Sequence, residues 1–288
     1  MYRDDFLQNK LIERLTAGTL RQLRLNDSGV DFCSNDYLGI VKNKLLRVSD
    51  THGHTGSTGS RLLSGNYPAV EALENELAFF HQTDAALLFN SGYDANLGLL
   101  SSVPQKGDTV LYDQLCHASI RDGIRLSFAY SHSFLHNDLN DLRKKIEQAS
   151  GNVFVVTESV FSMDGDFCPL KEMVELVQQK KIHLIVDEAH ATGVIGKKGE
   201  GLVQDQQLQD FVFARTHTFG KACGCHGAVI VGSAQLKQYL LNFARSFVFT
   251  TALPEHSINI IKASYDTFPQ MQEEREQLHQ LISLFQQA

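Results

Sequence analysis

The sequence has 288 residues, of which 43% are hydrophobic and 20% charged, and this is the composition of a globular protein with a substantial core. A formal net charge of −7 argues against a general nucleic-acid binder, and no run approaches the roughly 18 apolar residues that a membrane span needs. The first residues lack the apolar region of a secretory signal, and the five cysteines are scattered. We therefore expect a cytoplasmic protein with reduced thiols. The pair Cys223 and Cys225 has no second pair nearby, so no metal site is predicted.

The first part of the chain contains one predicted helix and one predicted strand. The helix is indicated by apolar residues at helical spacing, namely Phe6, Leu11, Ile12, Leu15 and Leu20. A short strand is expected at Val30–Cys33. The polar stretch Ser34–Asn66, rich in glycine, serine and histidine, is too long for a plain connector and is expected to line a site.

From Ala69 onward, predicted strands and helices alternate. The strands are Ala85–Phe89, Thr109–Tyr112, Phe128–His132, Val153–Thr157, His183–Asp187, Phe211–Thr216 and Ala228–Val231. The helices are a segment carrying Val70, Leu73, Leu77 and Phe80, then Ala95–Ser101, Ser119–Ser127, Leu139–Gln148, Leu170–Lys180 and Gln235–Phe249, and a helical tail from Pro254 to Ala288 that is interrupted near Pro269. This alternation predicts an α/β fold, with helices flanking a mostly parallel central sheet.

Polar residues follow several of these strands directly. They are Ser91 with Gly92, then His117, Ser162, Asp187 with His190, and Thr218 with Lys221. Ligands bind beyond the carboxyl ends of the strands in such sheets, so these groups are expected to converge on one edge.

The segment from Leu184 to His190 reads L-I-V-D-E-A-H and places Asp187 at the end of a buried strand. Asp187 could simply cap a helix. A nucleotide hydrolase would need a phosphate loop, which the sequence lacks, and a zinc protease would need H-E-x-x-H, which is also absent. The glycine-rich segment Ser57–Gly65 follows no predicted strand, so it does not indicate a dinucleotide site.

Lys221 follows another strand and lies among Gly220, Ala222 and Gly224, small residues that would allow a flat ligand to approach. A lysine in a pocket can have a lowered pKa and form a Schiff base. Pyridoxal phosphate (PLP) needs such a lysine, an acid for its pyridine nitrogen and donors for its phosphate. Asp187 could be the acid, and the helix opened by Gly92 and Tyr93, with Thr218, could bind the phosphate. His117 could stack on the ring or be purely structural.

The sequence closely resembles the α-oxoamine synthases, PLP-dependent transferases of fold type I that join an amino acid to an acyl-CoA with loss of carbon dioxide. The matching segments are Ser34–Gly39, Gly56–Gly65, Leu88–Asn96, Tyr112–Ser119, Thr157–Gly165, Val186–Gly193, Thr218–Gly227 and Phe249–Pro254. They cover nearly the whole chain in the order of the family.

The resemblance implies roles for individual residues. Lys221 would carry the cofactor, Asp187 would pair with its pyridinium nitrogen, and His190 with Ser162 would bind near the ring oxygen. His117 would stack on the ring, contact substrate and assist proton transfer. The phosphate side would be served by Ser91, Gly92, Tyr93 and Thr218, and in the partner subunit of a homodimer by Thr250 or Thr251. Arg21 and Asn35 resemble substrate contacts.

Within the family, Gly56–Gly65 and Thr218–Gly227 most resemble the biotin-pathway branch, which joins L-alanine to a pimeloyl thioester. A glycine C-acetyltransferase, a PLP enzyme of this fold with another reaction, and a non-catalytic relative stay open. The resemblance divides the chain into an N-terminal helix and arm (residues 1–45), a large PLP-binding domain (46–250) and a helical connection (251–288). Family members continue into a small C-terminal lobe, which is expected to be missing beyond Ala288.

Overall fold

The computed structural model describes residues 4–23, 29–48, 55–180 and 182–287. Its contacts divide the chain into two compact units, residues 1–34 and residues 35–288. In the first unit, helix α1 (Asp5–Thr16) confirms the predicted N-terminal helix, but it ends before Leu20, which the prediction had included.

The predicted strand Val30–Cys33 is wrong, because this segment is irregular. The Oδ1 atom of Asp31 accepts hydrogen bonds from the backbone N–H groups of Cys33 (2.8 Å) and Ser34 (3.0 Å). This local turn occupies backbone donors that a strand would offer to a neighbour.

The described residues of the second unit form a seven-stranded sheet with the order β1-β7-β6-β5-β4-β2-β3. The strands are β1 (Ala85–Phe89), β2 (Thr109–Asp113), β3 (Tyr130–Phe134), β4 (Val153–Glu158), β5 (His183–Asp187), β6 (Ala214–Thr218) and β7 (Ala228–Gly232). Strand β7 is antiparallel to both of its neighbours, and the other adjacent pairs are parallel. Strands β1 to β6 therefore point in one direction, and the predicted α/β class is confirmed.

The helices cover both faces of this sheet. They are α2 (Pro68–Phe80), α3 (Gly92–Ser102), α4 (Ala118–Leu126), α5 (Leu139–Glu147), α6 (Leu170–Gln179), α7 (Leu202–Asp205), α8 (Ala234–Phe243), α9 (Arg245–Val248), α10 (Glu255–Thr267) and α11 (Gln272–Gln287), with 3-10 turns at Gln209–Phe211 and Phe268–Gln270. Along β5, Ile185 packs with residues of α3, α4 and α8, whereas Leu184 and Val186 pack with α5 and α6. The continuous apolar run of β5 is explained by this burial on both sides.

Helix starts follow from capping side chains. Ser91 caps α3 by accepting a hydrogen bond from the Asp94 N–H, and Ser233 caps α8 in the same way through the Leu236 N–H.

No helix in the described part of the chain is long and apolar enough to cross a membrane.

Several predicted elements have different bounds in the structure, and for two of them a local feature explains the difference. Strand β6 starts at Ala214 instead of Phe211, because Phe211 belongs to a 3-10 turn. The predicted helix Gln235–Phe249 is divided into α8 and α9 at Ala244, whose backbone is extended with ψ 98°.

The parallel strands bring five chain segments to one edge of the sheet. The carboxyl ends of β1, β2, β4, β5 and β6 all lie there, since these strands share one direction. The residues that follow these ends form the candidate active site.

Candidate active site

Lys221 lies in the tight connection from β6 to β7. Three backbone hydrogen bonds shape this connection: Phe219 N–H to Gly227 O (3.0 Å), Cys225 N–H to Phe219 O (3.0 Å) and Gly224 N–H to Lys221 O (2.9 Å). Gly224 adopts φ +64°, and a Cβ added there would lie 2.8 Å from the Cβ of Ile40. The small residue at position 224 is therefore explained by chain packing and not by space for a ligand.

The Lys221 amine is surrounded by groups that affect its charge. Its Nζ lies 2.8 Å from Nε2 of His190. Burial lowers the pKa of Lys221, and the negative charges of Asp187 and Glu158 partly oppose this. A lysine with a lowered pKa is more often in the neutral form that attacks a carbonyl carbon.

Asp187 ends β5 and is 5% exposed. Its Oδ2 accepts a hydrogen bond from Asn96 Nδ2 (2.7 Å), and its Oδ1 accepts one from the Ala189 N–H (2.9 Å). A carboxylate can accept about four hydrogen bonds, so Asp187 has capacity left for a protonated ring nitrogen.

His190 connects Lys221 to the segment before the first strand. Its Nδ1 lies 2.9 Å from the hydroxyl of Tyr37, and the same hydroxyl donates to Oδ1 of Asn35 (2.9 Å). Burial, together with the charges of Lys221 and His117, lowers the pKa of His190 to about 4. His190 is therefore neutral near pH 7.

His117 caps α4 and is exposed. Its Nδ1 accepts a hydrogen bond from the Ser119 N–H (3.2 Å) and lies 2.8 Å from Ser119 Oγ. Its own backbone N–H donates to Oε1 of Glu158 (2.6 Å).

Glu158 ends β4 directly beside Asp187 of β5 and is 2% exposed. Burial raises the pKa of Glu158 to about 8, and the charge of Asp187 adds to this effect. Two carboxyl groups thus lie side by side, and burial favours the protonated form of Glu158.

The residues predicted for a phosphate lie at the N-terminus of α3 and the end of β6. A Cβ added at Gly92 would lie 3.2 Å from Cβ and Oγ1 of Thr218, so α3 and β6 approach closely at this point. Ser91 Oγ already binds Asp94, and the Tyr93 hydroxyl donates to Asp122. The first N–H groups of a helix have no partner within it, which leaves the N-terminus of α3 available to an anion.

The other predicted residues are not all brought into this cluster. Asn90 Nδ2 donates to Thr250 Oγ1 (2.9 Å) and to the Thr251 carbonyl (2.9 Å), which holds both threonines beside the end of β1. Ser162 is exposed in the loop after β4. Arg21 is exposed in the first unit. The roles predicted for these four residues stay predictions.

Sequence reasoning missed Asn96, Ser119, Glu158 and Tyr37. Glu158 could have been identified from the sequence, because it ends the run V-F-V-V-T-E and the neighbouring strand also ends in a carboxylate. Asn96 and Ser119 lie within helices, and no strand-end rule would have selected them.

The arrangement fits PLP. Lys221 provides an amine with a lowered pKa for the carbonyl carbon of the cofactor, and Asp187 provides an acceptor for the ring nitrogen. The N-terminus of α3 provides N–H groups for the phosphate.

The comparisons with known proteins agree with this site. The family described as "Aminotransferase class I and II" matches residues 27–288. An 8-amino-7-oxononanoate synthase of Emericella nidulans is 43% identical over 286 residues, covering 91% of this chain and 69% of the relative. A putative 8-amino-7-oxononanoate synthase of Bacillus licheniformis is 46% identical over 261 residues, covering 88% of this chain and 68% of the relative.

Solved structures show the same fold. A serine palmitoyltransferase variant from S. paucimobilis with a bound PLP-myriocin aldimine superposes with a TM-score of 0.82 at 28% identity, covering 94% of this chain and 73% of that one. An 8-amino-7-oxononanoate synthase from Francisella tularensis superposes with a TM-score of 0.75 at 30% identity, covering 90% of this chain and 75% of that one. The chain belongs to the aminotransferase class I and II family, and within it to the PLP-dependent α-oxoamine synthases, which are acyltransferases.

Proposed function

We propose that this protein condenses L-alanine with a pimeloyl thioester, releasing CoA and carbon dioxide and producing 8-amino-7-oxononanoate for biotin biosynthesis. The observation that carries the proposal is the contact between Lys221 Nζ and His190 Nε2 (2.8 Å), which lies at the sheet edge where β5 presents Asp187. The names of the 8-amino-7-oxononanoate synthases that this chain resembles support the choice of substrates.

Bound PLP supplies an electron sink for the negative charge that forms when the amino acid loses its Cα proton. The Asp187 carboxylate would accept a hydrogen bond from the protonated ring nitrogen of the cofactor, and Asn96 with the Ala189 N–H keep this carboxylate oriented. The Lys221 amine, with its lowered pKa, is the base that takes the Cα proton.

The atoms balance when one proton is taken up from water, which protonates the CoA sulfur as it leaves. The amino-acid Cα forms a bond to the thioester carbonyl carbon, and the C–S bond breaks as the CoA thiol leaves. The carboxylate carbon then departs as carbon dioxide, and Lys221 returns a proton to Cα. His190, neutral near pH 7, lies against the Lys221 amine and orients it for both transfers.

The proposal extends to the remaining predicted partners. The protein forms a homodimer in which Thr250 or Thr251 reaches the phosphate in the partner subunit. The hydrogen bonds from Asn90 hold both threonines in a fixed position for such a contact. The protein acts in the cytoplasm, and its free cysteines fit a reducing compartment. Asn35, bound to Tyr37 in the site, contacts the substrate, and Ser162 binds near the ring oxygen. Arg21 keeps its own predicted role as a substrate contact.

A spectroscopic titration tests the proposal. The purified protein with PLP is titrated with L-alanine, glycine and L-serine, and CoA release is measured with pimeloyl-CoA and acetyl-CoA. We expect L-alanine to change the cofactor spectrum at the lowest concentration and to support CoA release from pimeloyl-CoA. One methyl group changes binding by about 10–200-fold at most. The test is therefore the order in which the three amino acids bind, and not the absolute affinity of any one of them. Preference for glycine with acetyl-CoA would indicate a glycine C-acetyltransferase, and spectral changes without CoA release would indicate a relative with another reaction or none.

A further inference from the structure

Two buried side chains connect Asp187 with His117. Asn96 on α3 is 3% exposed, and Ser119 on α4 is 1% exposed. The two helices approach closely near these residues, since a Cβ added at Gly123 of α4 would lie 2.9 Å from the Asn96 carbonyl oxygen. Asn96 Nδ2 lies 2.7 Å from Asp187 Oδ2 and 3.0 Å from Ser119 Oγ, and Ser119 Oγ lies 2.8 Å from His117 Nδ1.

The direction of these hydrogen bonds follows from the number of hydrogens available. An ionised carboxylate only accepts, so the amide nitrogen of Asn96 uses one hydrogen on Asp187. Its second hydrogen goes to Ser119 Oγ. A hydroxyl has one hydrogen, and because Ser119 Oγ accepts from Asn96, its own hydrogen is free to be donated to Nδ1 of His117.

A second donor reaches the same nitrogen. The Ser119 backbone N–H donates to Nδ1 of His117 at 3.2 Å, and a backbone N–H cannot accept. A hydrogen on Nδ1 would therefore point towards the Ser119 N–H and leave this backbone donor without its acceptor. Nε2 of His117 makes no hydrogen bond to any residue that the structure describes.

We propose that Asn96 and Ser119 are positioning residues that fix the neutral His117 ring in the tautomer with its hydrogen on Nε2. His117 then offers an N–H donor to the reacting groups and no basic lone pair, and Lys221 is the base of the site. The catalytic consequence rests on the proposed function, whereas the tautomer is a property of the protein alone. In the alternative, purely structural role, Ser119 and His117 serve only to cap α4, and the ring tautomer has no consequence for turnover.

Nitrogen NMR of histidine-labelled protein measures the tautomer directly, with and without PLP, at a pH where the ring is neutral. The His117→Gln variant assigns the signal. We expect the wild-type ring to be protonated at Nε2. Ser119→Ala removes the hydroxyl donor and should produce a mixture of tautomers, and Asn96→Ala should give a smaller change in the same direction because the Ser119 hydroxyl becomes free to rotate. Ser119→Thr, which keeps a hydroxyl, should restore the wild-type signal.

Turnover with L-alanine and pimeloyl-CoA supplies the second measurement. Ser119→Ala should lower kcat about tenfold with little change in KM, because the ring orientation matters in the transition state more than in binding. Ser119→Thr should recover most of the rate. A wild-type ring protonated at Nδ1 would overturn the proposal, as would Ser119→Ala with an unchanged ring signal or an unchanged kcat. A protein that binds no PLP but shows the Nε2 tautomer would refute the proposed function and leave the tautomer assignment intact.

Discussion

Nζ of Lys221 lies 2.8 Å from Nε2 of His190, and this contact joins the connection after β6 to the segment after β5. Burial lowers the pKa of both residues, that of His190 to about 4. The contact is therefore between an amine that loses its charge easily and a ring that stays neutral near pH 7. The site favours a nucleophilic lysine over a permanently charged one.

Replacing Lys221 by alanine should abolish both covalent attachment of PLP and turnover, because this substitution removes the amine that lies against His190 at the sheet edge. The visible absorbance of the lysine-bound cofactor and borohydride trapping with peptide mapping are the measurements. Lys262→Ala is the control, since Lys262 forms only exposed ion pairs with Glu76 and Asp266. Trapping of the label on another lysine would contradict the assignment.

Asp187→Asn should preserve the fold and lower kcat about 100-fold, the effect of losing one hydrogen bond to a charged group of up to about 3 kcal/mol. The amide has nearly the volume of the carboxylate, yet it carries no charge to hold a proton on the cofactor ring. Circular dichroism checks the fold, and steady-state kinetics check the rate. Near-normal turnover would remove Asp187 from this role.

Glu158 should make the stability of the protein depend on pH. The folded state retains its proton up to about pH 8, whereas an exposed glutamate ionises near 4.5. Between these values the folded state binds more protons than the unfolded state, so the free energy of unfolding should fall as pH rises through this window. Glu158→Gln keeps an oxygen that can accept from the His117 N–H but cannot ionise.

Denaturant titrations of the protein without PLP, between about pH 5 and pH 8, test this dependence. The stability of Glu158→Gln relative to wild type should increase with pH across that range. Glu175→Gln, at an exposed position on α6, should follow the wild-type curve. Parallel curves for wild type and Glu158→Gln would show that Glu158 is ionised in the folded protein.

Much of the fold was predictable because burial on both faces leaves a clear pattern. The bounds of β5 match the prediction, since the apolar run Leu184–Val186 lies between the polar residues His183 and Asp187. Strand β6 was harder to predict, because the polar residues Arg215 and His217 interrupt its apolar pattern although both are at most 1% exposed. Their partners, the His81 carbonyl for Arg215 and the Thr192 hydroxyl for His217, are distant in sequence.

The residues of the candidate active site likewise divide into those that the sequence predicted and those that it did not. Asp187 is the last residue of β5, whereas Lys221, His190 and His117 follow strand ends, and the structure brings all four to the predicted edge. Asn96 and Ser119 meet only because α3 packs against α4 at Gly123. A pattern along one chain contains no information on which faces of two helices touch, so these contacts could not be predicted.

The two glycines that flank Lys221 should respond differently to the same substitution. Gly224 has φ +64°, and an added Cβ would lie 2.8 Å from the Cβ of Ile40 and 3.3 Å from Cγ2 of Val41. Gly224→Ala therefore combines left-handed backbone strain with overpacking, and we expect a loss of about 2–4 kcal/mol in the free energy of unfolding.

At Gly220 an added Cβ would meet nothing closer than the Cys225 carbonyl oxygen at 3.9 Å, so Gly220→Ala should change stability by less than about 1 kcal/mol. Denaturant unfolding of both variants without PLP measures the effect of packing on the free energy of unfolding, with no contribution from cofactor binding. Equal losses for the two variants would mean that the connection around Lys221 adopts another conformation in solution. A loss confined to Gly224→Ala would support packing against Ile40 as the feature that holds the connection bearing Lys221 in place.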